Sequence, residues 1–138
     1  MSVIVRNRKA QFDYFVMEEM QAGIVLNGNE IKSVREHNCS LDGSYATLDN
    51  HEAWLIGMHI QPYKKSELNP TRRRKLLLTK QEIRTLKGAL EQDGLTAVPL
   101  SVFLLNGYAK VQLGIVKGKK QHDKREAIRT RDAEREMR

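Results

Sequence analysis

The chain has 138 residues, 40% of them hydrophobic, which supplies one real core and excludes disorder throughout. No apolar run nears the roughly 20 residues that a membrane-spanning helix needs, and a single cysteine, Cys39, excludes an internal disulfide framework. Lys and Arg number 24 against 17 Asp and Glu, and the net charge of +7 favours a polyanionic partner.

The opening "MSVIVRNRKA" has a short apolar patch but no long h-region or small-residue cleavage site, so no secretory signal is expected. With one cysteine, the expected setting is a reducing cytoplasm. "FDYFVMEEMQAGIVL" (Phe12–Leu26) is rich in aromatic and branched residues and reads as a long strand with a bend or bulge at Gly23. "NGNEIKSVREHN" follows, with Ile31 and Val34 three apart, which predicts a short helix capped by Asn27 or Asn29 and ending near Asn38. "SYATLDNHEAWLIGMHI" divides into two strands around a "DNHE" hairpin connection.

"PYKKSELNPTRRRK" is a polar loop. In "LLLTKQEIRTLKGALEQDG", Thr79 and Glu82 form a capping box, and Ile83, Leu86 and Leu90 lie along one helical face that Gly94 can terminate. "LTAVPLSVFLLNGYAKVQLGIV" is a hairpin turning at Asn106–Gly107, with Pro99 marking an edge or a bulge. The predicted order is β-α-β-β-α-β-β plus a tail. Hairpin connections imply antiparallel pairing, so the expected fold is mainly β with α: a small antiparallel OB-like barrel with two or three flanking helices. Residues 1–117 form the expected barrel domain, and residues 118–138 a basic C-terminal tail that is disordered when free.

Catalytic signatures are weak. His37, His51, His59 and His122 show no zinc spacing, and a His37–Cys39 pair leaves at least two ligands unnamed. No P-loop, dinucleotide-binding fingerprint or nucleophile elbow occurs, and no acidic cluster suits a two-metal nuclease. No enzyme, cofactor or metal is expected.

Cationic clusters are the stronger signal. Arg6, Arg8 and Lys9 precede the first predicted strand, and Arg72, Arg73, Arg74 and Lys75 precede the second helix. Arginine forks two donors onto phosphate oxygens, and about six such contacts give a log–log salt slope of roughly −4 to −5. A solvated charged loop is the alternative for either cluster taken singly, and two clusters with a basic tail weigh against it. Glu30 is repelled by phosphate but could accept from a base amino group or a 2′-hydroxyl; from the residue alone, a surface glutamate favoured by a helix N-terminus is the better reading. Tyr45 and Tyr63 are candidates for stacking on a base, against the commoner fate of packing. From Lys117 to Arg138 nine basic and five acidic residues leave a net +4, with helical propensity but few apolar residues. That segment is expected to be frayed when free and helical on a polyanion.

Six stretches, "NRKAQFDY", "AGIVLNGNEIKSVR", "PTRRRKLLL", "EIRTLKGALEQDGLTAVPL", "YAKVQLGIVKGKK" and "DKRE", together resemble the SmpB family. The likeness is collinear from Asn7 to about Arg131. It implies an oligonucleotide-binding-type barrel that binds the tRNA-like end of transfer-messenger RNA. That complex reaches ribosomes stalled on messages lacking a stop codon, for trans-translation. It implies RNA-elbow contacts from Asn7, Glu30 and Lys32, with Tyr63, Arg74 and Lys75 in matching segments. The matching tail motifs are Gly118, Lys119 and Lys120, then Asp123, Lys124 and Arg125, facing the small-subunit decoding region and mRNA path. The chain departs from the family in a shorter loop between Tyr63 and Arg74, a trimmed hairpin at "LLNGY", and an end at "REMR" where relatives run further. The expected partners are thus transfer-messenger RNA and the ribosome, with no membrane, for a protein acting as a monomer. A general RNA-binding or ribosome-associated barrel protein is the alternative.

Overall fold

A computed structural model describes residues 2–62 and 69–118 of the chain. The elements run β1 (Ser2–Arg6), α1 (Arg8–Asp13), β2 (Tyr14–Ile24), α2 (Gly28–Arg35), β3 (Cys39–Ser40), β4 (Tyr45–Asp49) and β5 (Glu52–Ile56). After these come β6 (His59–Ile60), β7 (Arg74–Leu77), α3 (Lys80–Leu90), β8 (Leu95–Leu105) and β9 (Tyr108–Gly118). Strands β8, β4, β5, β7, β2 and β9 pair in that order, and β8–β9 pairing closes the ring. β1 adds to the half of β8 that β4 leaves uncovered, with Ser2 opposite Leu104 and Arg6 opposite Ser101. Every pairing is antiparallel, as the hairpin connections imply. The expected mainly-β barrel with flanking helices is the fold observed.

Alternation along the strands sends Ala46, Ala53, Leu55, Leu76, Ala97, Val102, Val111 and Leu113 into the barrel, all at 2% exposure or less. Burying each leucine contributes about 1.5–3 kcal/mol. A second cluster, Ala10, Val98, Leu100 and Val116 with Tyr14 against it, lies beneath α1. Here Gly114 is required by close approach, because a Cβ would sit 2.8 Å from Leu100 Cδ1.

Local signals held where their chemistry is short-range. Thr79 caps α3 by accepting from the Glu82 amide at 3.2 Å, and Glu82 accepts from the Thr79 amide at 2.8 Å. Asn106 and Gly107 take φ of +52° and +81°, the left-handed pair of a type I′ turn. The β8–β9 register shifts between Pro99 and Ser101, so that proline does mark a bulge.

Other elements differ. The strand expected from Phe12 begins at Tyr14, because Asn7 caps a helix over Arg8–Asp13 through a 3.1 Å bond from the Ala10 amide. Ala10 and Tyr14, four apart, then face the second cluster. The bulge in β2 falls between Val16 and Glu18 rather than at Gly23. Gly23 pairs with Lys110 of β9 and Leu77 of β7, and a Cβ there would meet the Leu77 side chain at 3.4 Å. Strands β1, β3, β6 and β7 also go beyond the predicted order.

Candidate nucleic-acid interface

Helix α2 and strand β7 meet at a buried ionic junction. Asn27 caps α2 by accepting from the Glu30 amide at 2.9 Å, and Glu30 Oε1 accepts from the Asn27 amide at 3.2 Å. This capping box turns the Glu30 carboxylate back toward the helix start, where it is 5% exposed. Arg74 reaches the same carboxylate from β7. Its Nε donates to Glu30 Oε2 at 2.9 Å, and its two terminal nitrogens donate to the Met58 carbonyl at 2.5 Å and the Pro70 carbonyl at 2.9 Å. Arg72 donates to Glu30 Oε1 from the solvent side.

The electrostatics follow from that geometry. Burial pushes the Glu30 carboxyl up, but hydrogen bonds from Arg72, the Asn27 backbone and Arg74 outweigh it and hold the group below its ordinary value. Burial draws Arg74 below its usual value, with Glu30 pulling the other way. Cys39 is raised by its own burial, against the nearby positive charge of Arg74.

The run of four cations therefore divides by position. Arg74 is fully buried and pairs across from Leu55, while Lys75 points outward opposite Trp54. Arg73 donates to Asp49 at 2.9 Å and lies 4.0 Å over the Trp54 ring. Lys75 reaches Glu52 at 3.3 Å. Arg73 and Lys75 are about half exposed, and exposed ion pairs contribute only about 0–1 kcal/mol, so these pairs hold their cations weakly. Lys32 and Arg35 project from α2 as exposed cations.

At the N-terminal end of α2 lies a cleft of about 380 Å³, lined by Gly23, Leu26, Ile31, Arg35, Leu77, Tyr108 and Lys110 among others. Leu77 is 54% exposed and Tyr108 73%. Their flat and aliphatic surfaces beside Arg35 and Lys110 suit a nucleotide, with an apolar contact for the base and cations for its phosphate. The sequence reading missed these residues. Tyr108 carried a signal, being an aromatic beside the exposed turn; Leu77 did not, since a leucine in "KLLL" reads as core.

The other predicted residues fall elsewhere. Arg8 and Lys9 are exposed on α1, whereas Asn7 is buried, its Nδ2 donating to the Pro99 carbonyl at 2.9 Å. Gly118 ends β9. Tyr63 and the residues Lys119, Lys120, Asp123, Lys124 and Arg125 lie outside the described residues. His37 and Cys39 do not form a metal centre among the described residues, where no group of three potential ligands occurs. His37 Nδ1 lies 2.9 Å from the Ile4 carbonyl.

This geometry sits on a chain with close relatives. The SsrA-binding protein of Limosilactobacillus reuteri is 49% identical over 139 residues, spanning 99% of this chain and 88% of that protein. The SsrA-binding protein of Acetivibrio thermocellus is 50% identical over 138 residues, spanning 98% and 90%. A solved chain described under "tmRNA-SmpB: a journey to the center of the bacterial ribosome" is similar with a TM-score of 0.76 and 43% identity, covering 94% of this chain and 96% of that one. The family described as SmpB protein matches residues 4–138, and with those relatives it shows that this chain belongs to the SmpB family.

Proposed function

We propose that this protein binds the tRNA-like domain of transfer-messenger RNA (SsrA) and delivers it to stalled ribosomes for trans-translation. Ribosomes are thereby rescued and their nascent chains tagged for degradation. The family and relatives named for SsrA binding support this reading, and so does the structural neighbour from a tmRNA–SmpB ribosome study. The observation that carries it is the open Leu77–Tyr108 cleft flanked by the cations Arg35 and Lys110, with Lys75 on the same outward face of β7 as Leu77. Such a surface fits a folded RNA contour with an unstacked base better than a uniform phosphate track.

The roles divide accordingly. Arg8, Lys9, Lys32, Tyr63, Arg72, Arg73 and Lys75 contact RNA. Asn7, Glu30 and Arg74 act through those contacts by fixing the frame. The segment from Gly118 through Lys119, Lys120, Asp123, Lys124 and Arg125 engages the decoding region and mRNA path. The protein is a cytoplasmic binding module, and bond changes belong to the RNA and ribosome. A competition titration at physiological salt tests this, with the tRNA-like domain against unstructured RNA of equal length. Strong preference for the former is expected; equal binding would favour a general RNA-binding barrel.

A further inference from the structure

Helix α3 carries three cations that lie outside both the open cleft and the ionic junction. Its inner side buries Leu86 and Ala89, with Leu90 packed against the core. Opposite them, Lys80, Arg84 and Lys87 are exposed at spacings of four and three residues, which sets them along a single stripe. A rise of 1.5 Å per residue spreads the three over about 10 Å. Gly88 is exposed beside them, and a Cβ there would meet nothing within 4 Å, so the surface along the stripe is open.

These cations are uncommitted. Arg72, Arg73, Arg74 and Lys75 each pair with a carboxylate of Glu30, Asp49 or Glu52. Among the described residues no ion pair forms at Lys80, Arg84 or Lys87. Glu82 lies between them in sequence but is turned back into the cap, where it accepts from the Thr79 amide at 2.8 Å. Glu91, one turn past Lys87, is exposed and forms the acidic limit of the stripe. Like charges at these spacings repel, so the stripe works against the free helix and an anion laid along it relieves that repulsion.

Position indicates which anion. Leu77 lines the open cleft, and Lys80 follows three residues later, no more than about 11 Å away along the chain. A strand with a base in the Leu77–Tyr108 cleft brings its neighbouring phosphates to this end of α3. We propose that the Lys80–Arg84–Lys87 stripe binds the sugar–phosphate backbone that flanks the cleft-bound nucleotide of the tRNA-like RNA, which rests on that RNA being the ligand of the cleft. Backbone contacts fix register without reading sequence, so α3 supplies affinity and orientation while the cleft takes the base.

The test uses the full chain with Lys80→Gln, Arg84→Gln and Lys87→Gln combined, glutamine being a comparable helix former. It is titrated with the tRNA-like domain across a salt series, beside the parent. The log–log slope should flatten by about 2–3, and affinity at physiological salt should fall roughly tenfold to a hundredfold, with the melting temperature kept. Lys80→Arg with Lys87→Arg keeps both charges and should retain the parent's affinity and slope. Glu91→Gln removes the one acid on the stripe and should tighten binding, a gain that a merely structural role would not produce. An unchanged slope in the triple variant would overturn the proposal. With that result, a parent that still prefers the tRNA-like domain over unstructured RNA leaves the proposed function standing without α3. A parent lacking the preference removes the function first, and the assignment of α3 to the tRNA-like domain with it.

Discussion

Glu30 and Arg74 stand forty-four residues apart and meet inside the protein, Nε to Oε2 at 2.9 Å, joining the start of α2 to β7. One carboxylate thereby receives two guanidinium groups and a backbone amide. Arg74 uses its remaining donors on the Met58 and Pro70 carbonyls, which fixes the approach of the chain into β7. The pair joins α2, which carries Lys32 and Arg35, to β7, which carries Lys75 and directly follows Arg73.

Removing one partner should therefore damage the fold before it damages recognition. Glu30→Ala leaves Arg74 buried without its counter-charge, at an expected cost of about 3–5 kcal/mol. Replacing both with apolar residues of similar volume, Glu30→Leu with Arg74→Met, should recover much of that loss. Urea unfolding of the two single variants and the double variant measures this. A cost below about 1 kcal/mol for Glu30→Ala would show that the pair does not hold the frame.

Acid should loosen the same joint. The folded Glu30 carboxyl titrates below its ordinary value, so folding favours its ionised form. The stability this contributes is fully present above the ordinary carboxylate range near pH 4.5 and is lost as pH falls through the lower folded value. Glu30→Gln should be less stable at neutral pH, and the difference from the parent should shrink below pH 4.5. Thermal melts from neutral to acid pH check this; a constant gap would refute the linkage.

How much of this was legible beforehand depends on the range of the signal. The Thr79–Glu82 box, the Asn106–Gly107 turn and the Pro99 bulge each rest on neighbours a few residues apart, and a linear reading finds them. Helix α1 escaped because its cap is an asparagine followed by two cations, and the aromatic run after it has the composition of a strand. Arg74 escaped for a stronger reason. Four successive cations look uniformly solvated, and only the alternation of β7 sends Arg74 inward while Lys75 stays out. The partner that makes its burial tolerable lies on another element, invisible to local pattern. Leu77 inverts the case, an apolar residue sent outward by the same alternation.

That alternation makes Arg73 and Leu77 separable probes of RNA binding. Arg73→Ala should lower affinity and reduce the salt slope by about 1, with a stability change within about 1 kcal/mol. It also uncovers Trp54, the single tryptophan, so its emission should change in the free protein and respond less to RNA. Leu77→Ala and Tyr108→Ala should weaken binding by about 1–3 kcal/mol with no change in slope, because they remove apolar contact rather than charge. Equal slope changes in all three variants would show that the cleft contributes nothing beyond electrostatics.

The division between barrel and tail gives the last prediction. If the barrel holds the tRNA-like domain, Lys119→Ala with Lys120→Ala should leave affinity for that RNA nearly intact and impair activity on stalled ribosomes. The cations on α2 and β7 remain in place, so the dominant phosphate contacts survive in the double variant. Two counterions fewer would be released if those lysines did touch the RNA, flattening the salt slope by nearly 2. Titration of the tRNA-like domain across a salt series, run beside a tagging assay on ribosomes stalled without a stop codon, separates the two outcomes. A flattened slope with abolished RNA binding would assign the tail to the RNA and leave the ribosomal role without support.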